Sequence, residues 1–358
     1  MSVSRRPRTA NRDPRRAQVT EVFIAEFVSG LAEYVEDELR QTFARDIAVL
    51  ERHDDEIRFS APRSPGLNRL ACVQAVYSVQ EYPIPRPKAL LGDQHFRRLQ
   101  QQILGTIQSY PVGTFKTLHL AAAGSDSSIM SRLKQSLSDQ VGLAVDDAAG
   151  DVLLRIRRSR STDGWESLVR LTPRPSATRD WRVCDMPGAL NGSVARVISQ
   201  IASPQAGTLC NLTSGSGSIA IEHALRQPAN RSICVELDAN VIACALQNAK
   251  QAKIAGRILM VQCDAAQTPF PTGAFDTLCA DLPFGQRIGS HQLNAEAYPL
   301  ILVEAARIAS IGARFVVLSH EVRLMETLLQ DSSTWKTDEA LRITLRGLHP
   351  RLYVLRRR

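Results

Sequence analysis

Apolar and polar positions change their rhythm near Pro187. Upstream, Val22 to Val28 reads as a strand. Gly30 to Phe43 reads as a helix with Leu31, Tyr34, Val35 and Leu39 on one face and acids on the other. Glu56 to Ser60, a short helix from Gly66 to Val73, and Val76 to Ile84 follow, and a β-α-β-β-α-β order there is ferredoxin-like. Pro83-Ile84-Pro85-Arg86-Pro87 interrupts the pattern as a linker. A helix from Gln94 to Gln108, a strand from Thr114 to Ala121, and a helix opened by Ser127 and closed near Gly142 come next. Asp151 to Arg158 and Glu166 to Leu171 alternate as two further strands.

Downstream, strand–helix units repeat, and such repetition predicts a parallel sheet. Helix Gly192 to Ala202 precedes strand Thr208 to Leu212, helix Ser218 to Arg226 and strand Ser232 to Glu236. Helix Ala239 to Lys250 leads to strands Arg257 to Gln262 and Phe275 to Ala280. Helix Ala295 to Ala309, strand Arg314 to Ser319 and helix Glu321 to Leu329 follow. Ala340 to Arg346 and Arg351 to Leu355, joined by Gly347-Leu348-His349-Pro350, read as a closing hairpin.

The 358 residues allow two or three domains, and 44% hydrophobic with 22% charged residues is an ordinary globular balance. No apolar run nears the ~18 residues of a membrane span, and the start lacks a secretory signal, so a cytoplasmic location is expected. A net charge of +8 points toward a polyanion. Six arginines against Asp13 supply +5 of it within residues 1–20, read as a disordered basic tail. The seven cysteines are odd in number and lack CxxC spacing, which favours reduced, buried thiols with no disulfide. The seven histidines are scattered, and no metal site is expected.

Arginine is dense between 155 and 182: Arg155, Arg157, Arg158, Arg160, Arg170, Arg174, Arg179 and Arg182 face only Asp163, Glu166 and Asp180 nearby in sequence. A nucleic-acid surface and a solvated strand face both fit. Arginine without lysine favours the first, because its fork binds phosphate bidentately.

Candidate chemistry sits at strand ends in the second half. Ser214-Gly215-Ser216-Gly217-Ser218 is a glycine-rich turn between a strand and a helix, where backbone N–H groups can approach a ligand. It also satisfies G-x-G-x-x-A, with Glu236 19 residues past Gly217, so a nicotinamide-dependent oxidoreductase is a rival reading at this motif. Glu236 is placed to accept hydrogen bonds from ribose hydroxyls, Asp238 to cap the next helix, and Asp264 to take an adenine amine or to close a turn. Asp281-Leu282-Pro283-Phe284-Gly285 follows the next strand. Its carboxylate and the carbonyl of Leu282 or Pro283 can orient an exocyclic amine while Phe284 stacks on a base. Hydride transfer needs no such turn.

These two motifs resemble motifs I and IV of S-adenosylmethionine-dependent methyltransferases that act on the amino group of a base. Leu171-Thr172-Pro173-Arg174-Pro175, Arg179-Asp180-Trp181-Arg182, Pro187-Gly188-Ala189-Leu190-Asn191, Asp281 through Ser290, and the final Gly347-Leu348-His349-Pro350 turn are similar to the THUMP-containing tRNA guanine-N2 methyltransferases. The resemblance implies an α/β fold: a ferredoxin-like domain over 21–85, a THUMP domain over 86–185, and a Rossmann-like class I methyltransferase domain over 186–358. The last would be a seven-stranded sheet with a terminal antiparallel hairpin.

The resemblance also implies methylation of a tRNA guanosine at N2, at position 6 of the acceptor stem, with guanosine 10 or an rRNA guanosine as alternatives. Asp281, Pro283 and Phe284 would be catalytic. Asn211, Ser214, Gly215, Gly217, Glu236, Leu237, Asp264, Ala265 and Asp281 would hold S-adenosylmethionine. Arg157, Arg158, Arg174 and Arg287 would meet RNA, and a small activator subunit is a partner the resemblance allows. Two departures stand out: Asn211 replaces a common aspartate, and Leu282 replaces the first proline of Asp-Pro-Pro-Phe. They leave room for a catalytically silent RNA-binding relative.

Overall fold

The computed structural model describes residues 20–283, 291–330, 332–345 and 347–358. The first half runs β1 (Thr20–Glu26), α1 (Ala32–Phe43), β2 (Ala48–Arg52), β3 (Glu56–Pro62), β4 (Ala75–Tyr82), α2 (Asp93–Ile107), β5 (Thr117–Ala122), α3 (Ser128–Val141), β6 (Ala144–Val145), β7 (Val152–Arg158) and β8 (Trp165–Arg170). Ser127 caps α3 by accepting from the Met130 amide, and Gly142 ends it at φ +69°, as the sequence predicts. The helix expected over Gly66 to Val73 is a single 3-10 turn, Leu67–Arg69.

These strands form one continuous sheet in the order β2-β3-β1-β4-β8-β7-β5-β6. The joint is the antiparallel β4–β8 ladder, from Tyr77 opposite Arg170 to Tyr82 opposite Trp165. That continuity changes the arginine cluster. Arg155 pairs with Glu26 at 2.7 Å, and Arg160 pairs with Asp55 at 2.9 Å. Arg157 donates to Glu166 at 2.7 Å and, as a fork, to Glu56 at 2.7 and 2.9 Å. Glu166 is nine residues from Arg157, but Glu26, Asp55 and Glu56 lie 101 to 129 residues away in sequence, where a local charge count could not reveal them.

The second half runs α4 (Gly192–Ala202), β9 (Thr208–Asn211), α5 (Ser218–Arg226), β10 (Arg231–Glu236), α6 (Ala239–Gln251), β11 (Ile258–Gln262), β12 (Phe275–Asp281), α7 (His291–Ile308), β13 (Ala309–Ser319), α8 (Val322–Gln330), β14 (Trp335–Arg342) and β15 (Arg351–Arg357). The sheet order is β11-β10-β9-β12-β13-β15-β14. The first five strands are parallel, and β15 runs antiparallel to both β13 and β14. This is a Rossmann-like seven-stranded sheet closed by an antiparallel hairpin. Its order reverses between β9 and β12, which opens a crevice at their carboxyl ends.

One face of this sheet shares its core with the first unit. Leu31, Val35 and Leu39 join the same buried cluster as Val194, Ile198, Leu209 and Leu352. On the other face Leu278, Phe315 and Val317 pack with Tyr298, Ile301 and Met325. No helix among the described residues is long and apolar enough to cross a membrane.

The loop before α1 seals the junction. Gly30 lies at φ +95°, and a Cβ there would sit 2.1 Å from the Arg342 carbonyl oxygen. The neighbouring Ser29 carbonyl accepts from the Thr344 amide at 3.1 Å. Gly30→Ala is expected to destabilise the chain by about 2–4 kcal/mol, because neither backbone can retreat. A lowered urea midpoint with an unchanged slope is the expected reading.

Candidate functional site

A cleft of about 420 Å³ opens at the carboxyl ends of β9, β10, β11 and β12. Its floor is the turn from Leu212 to Ser216, with Gly217 behind it. Gly217 sits at φ +84° as the residue capping α5, and a Cβ there would press on the Ala245 Cβ at 3.3 Å. Gly215 lies at φ +53°, with open space where its Cβ would project. One glycine thus lets α6 pack close, and the other keeps its backbone bare toward the cleft.

Glu236 anchors this turn. One carboxylate oxygen accepts from the Gly215 amide at 2.9 Å, and the other accepts from the amides of Leu237 at 2.9 Å and Asp238 at 3.2 Å. Asp238 caps α6 by accepting from Asn240 at 2.7 Å, the role its spacing suggests. Leu237 lines the cleft while 65% exposed, an apolar surface that a ligand there would cover. Asp264 and Ala265 complete that wall, and Asp264 closes its own turn by accepting from the Ala266 amide at 2.8 Å.

Asp281 stands on the opposite wall. Thr213 donates to its backbone carbonyl at 3.0 Å, tying the glycine turn to the end of β12. The side-chain oxygen Oδ1 is shut off from solvent and has no hydrogen-bond partner among the described residues. Burial pushes the Asp281 carboxyl up to about 7. Asn211 is fully buried below the lining, and both its amide atoms also lack partners among the described residues.

The structure adds groups the sequence pattern hid. Tyr298 donates to the Pro283 carbonyl at 2.7 Å, and Asn294 donates to it at 3.1 Å. Ser319 in turn donates to the Tyr298 hydroxyl at 3.3 Å, and Asn294 reaches Glu321 at 3.3 Å. Asn294 and Tyr298 lie four apart on α7, one face of the helix, and that spacing was the available signal.

A strap from Met186 to Leu190 roofs the cleft. Asn248 of α6 secures its approach. The Asn248 oxygen accepts from the Val183 and Cys184 amides at 3.0 and 2.9 Å, and its nitrogen donates to the carbonyls of Cys184 and Ser216 at 2.9 and 3.1 Å. Cys184 and Cys244 form a disulfide across the same joint, which corrects the expectation of reduced thiols throughout. The cysteines are 60 residues apart and meet only because the strap crosses α6, at a Cα separation of 5.4 Å.

Of the expected RNA contacts, Arg157 has its fork engaged by Glu56 and Glu166, which joins neighbouring strands. Arg158 is exposed, with its guanidinium 5.0 Å from the Trp165 ring centre. Arg174 is 67% exposed beside Asp180. Phe284 and Arg287 lie outside the described residues. Among the described residues, no group of three or more His, Cys, Asp or Glu side chains is placed to hold a metal ion.

Comparison with known proteins bears on the second half of the chain most directly. Residues 179–351 match the family model UPF0020, described as RMKL-like, methyltransferase domain. The tRNA (guanine(6)-N(2))-methyltransferase THUMP3 of Bos taurus is 27% identical over 185 residues, covering 48% of this chain and 37% of that protein. Its Homo sapiens counterpart is 30% identical over 154 residues, covering 39% of this chain and 30% of that protein. The chain therefore matches only about a third of the length of these relatives.

Among solved structures, TrmN from Thermus thermophilus superposes with a TM-score of 0.71 at 20% identity, covering 95% of this chain and 100% of that one. SMU.472 complexed with SAH superposes with a TM-score of 0.65 at 14% identity, covering 94% and 97%. With the glycine turn, the β9–β12 crevice and the closing hairpin in place, residues 179–351 are similar to the RMKL-like methyltransferase domain family, and the chain shares the fold of these solved structures.

Proposed function

We propose that this protein is an S-adenosylmethionine-dependent methyltransferase acting on the N2 amine of a guanosine in tRNA, at position 6 of the acceptor stem. The observation that carries the reading is Asp281, whose carboxyl lines the cleft with Oδ1 buried and without a partner among the described residues, opposite a glycine turn locked to Glu236. The relatives' name, which specifies guanine 6, supports the finer target.

The cleft suits the cofactor: the bare backbone at Gly215, the remaining lone pairs of Glu236 for ribose hydroxyls, and Leu237, Asp264 and Ala265 for the adenine edge. When bound, S-adenosylmethionine supplies an electrophilic methyl group. Asp281 accepts an N–H of the guanine amine, aims its lone pair, and takes the proton that the amine sheds on methylation. A carboxyl held near 7 can take that proton at neutral pH. The second acceptor is the Leu282 carbonyl, since Tyr298 and Asn294 already engage that of Pro283. A guanosine in a stem must leave its base pair to reach these groups.

Tyr298 is a positioning residue in this scheme, because it fixes the peptide beside the reacting amine. Tyr298→Phe is expected to lower kcat about tenfold while tRNA KM and cofactor affinity stay within twofold, as misplacement of the acceptor affects chiefly the transition state. A purely structural role would lower stability and leave kcat of the folded fraction intact. Position is tested by mass mapping of nuclease fragments from unmodified tRNA treated with the protein. One added methyl in the fragment carrying guanosine 6 supports the target, and a methyl on the guanosine 10 fragment would reassign it.

A further inference from the structure

A second cavity, of about 660 Å³, lies where the first half, the connecting segment and the methyltransferase domain meet. Arg69, Tyr110, Arg174, Asp180, Arg196 and Leu225 are among its lining residues. Arg179 and Glu222 form part of the wall and neutralise each other through a 2.7 Å contact. The remaining balance is three arginines against Asp180.

Those arginines are not used up by the fold. Arg69 is exposed, and its guanidinium has no hydrogen bond or ion pair among the described residues. Arg174 has only its 3.5 Å approach to Asp180, which is 95% exposed. Arg196 makes one 3.4 Å contact, to the Glu222 carbonyl, while its Nε is buried without a partner among the described residues. Leu225 adds an apolar surface, 43% exposed, on which a base can rest.

The cavity is larger than one phosphate requires, and it shares α5 with the cofactor cleft. Ser218 and Ile219 line the cleft, whereas Glu222 and Leu225 line the second cavity. At 1.5 Å rise per residue, the two sites are roughly 5–10 Å apart along that helix. We propose that this cavity binds backbone phosphates of the RNA substrate away from the target nucleotide, so that the RNA is gripped at two points along one helix. The inference rests on the reading of the substrate as tRNA.

The test uses the full chain, with Arg69→Glu and Arg174→Glu made singly and together. Filter binding of unmodified tRNA is measured across salt concentrations, alongside kcat, tRNA KM and the S-adenosylhomocysteine Kd. The double variant is expected to raise tRNA Kd and KM about tenfold or more and to reduce the salt slope by about 2, one per lost phosphate contact. The S-adenosylhomocysteine Kd and kcat are expected to stay unchanged. Leu225→p-benzoylphenylalanine should crosslink to tRNA on illumination. Unchanged tRNA Kd and salt slope in the double variant, or no crosslink from a variant that still binds tRNA, overturns the proposal. Arginine-dependent binding and crosslinking without methyl transfer by the unaltered protein would uphold the cavity as an RNA site and reject the methyltransferase reading instead.

Discussion

Asp281→Asn should lower kcat/KM by about 10²–10⁴-fold, the range for losing a positioned proton acceptor beside the reacting atom. The amide keeps the size of the side chain and removes its charge. Binding of S-adenosylhomocysteine should change little by comparison. In the unaltered protein, kcat/KM should rise as pH increases through about 7, where Asp281 ionises. The kcat profile should inflect at lower pH, because an amine donating to the carboxylate favours its charged form. Asp281→Asn should abolish the inflection in both. Stability should move the opposite way. The folded-state value of about 7 lies above the usual 3.8, so the contribution of this group is complete below about 4 and is lost as pH rises through 7. Asp281→Asn should therefore raise the melting temperature at pH 8 and leave it nearly unchanged at about pH 3, where the carboxyl is neutral in both the folded and unfolded states. Such a gain in stability at the expense of activity is the pattern of a functional group held in a costly environment.

Glu222→Ala should be the most damaging change away from the cleft, at about 3–5 kcal/mol, because it strands a buried guanidinium. Glu222 is 2% exposed and accepts from Arg179 at 2.7 Å and from the Trp181 ring nitrogen at 3.2 Å. Arg179 also donates to the carbonyls of Ala71 at 2.6 Å, Ser176 at 2.6 Å and Gly192 at 3.0 Å. One side chain therefore ties the first half, the connecting segment and α4 together. Glu222→Gln keeps an acceptor and should cost less. Asp180→Ala removes only the exposed partner of Arg174 and should fall within about 0.5 kcal/mol. Urea denaturation of the three variants gives the ranking, and equal losses for Glu222→Ala and Asp180→Ala would remove Arg179 from its joining role.

The parallel units of the second half were legible because their signals are local. Asn191 caps α4 and Gly217 turns the chain into α5, so Gly192–Ala202 and Ser218–Arg226 begin where the sequence places them. Buried strands such as Phe275–Asp281 carry apolar runs that cannot be solvated. The edge strands were harder. Ala48–Arg52 went unread because its residues alternate between exposed and half-buried. Trp335–Arg342 begins five residues before the expected Ala340 because its middle, Lys336 to Ala340, is exposed.

Contacts made only by the tertiary fold were not legible at all. The distant partners Glu26, Glu56 and Asp55 of Arg155, Arg157 and Arg160 come from β1 and the β2–β3 region, and the Cys184–Cys244 disulfide comes from a strap crossing α6. The cleft was readable as motifs at strand ends. The pinning of Pro283 from α7 was not, since a tyrosine at helical spacing reads first as core.

The decisive measurement is transfer of labelled methyl from S-adenosylmethionine to unmodified tRNA, followed by digestion and identification of the labelled nucleoside. Label in N2-methylguanosine, present with the unaltered protein and lost in Asp281→Asn, is the expected result. Label in any other nucleoside, or transfer undiminished in Asp281→Asn, would contradict the assignment of this cleft to guanine N2 methylation.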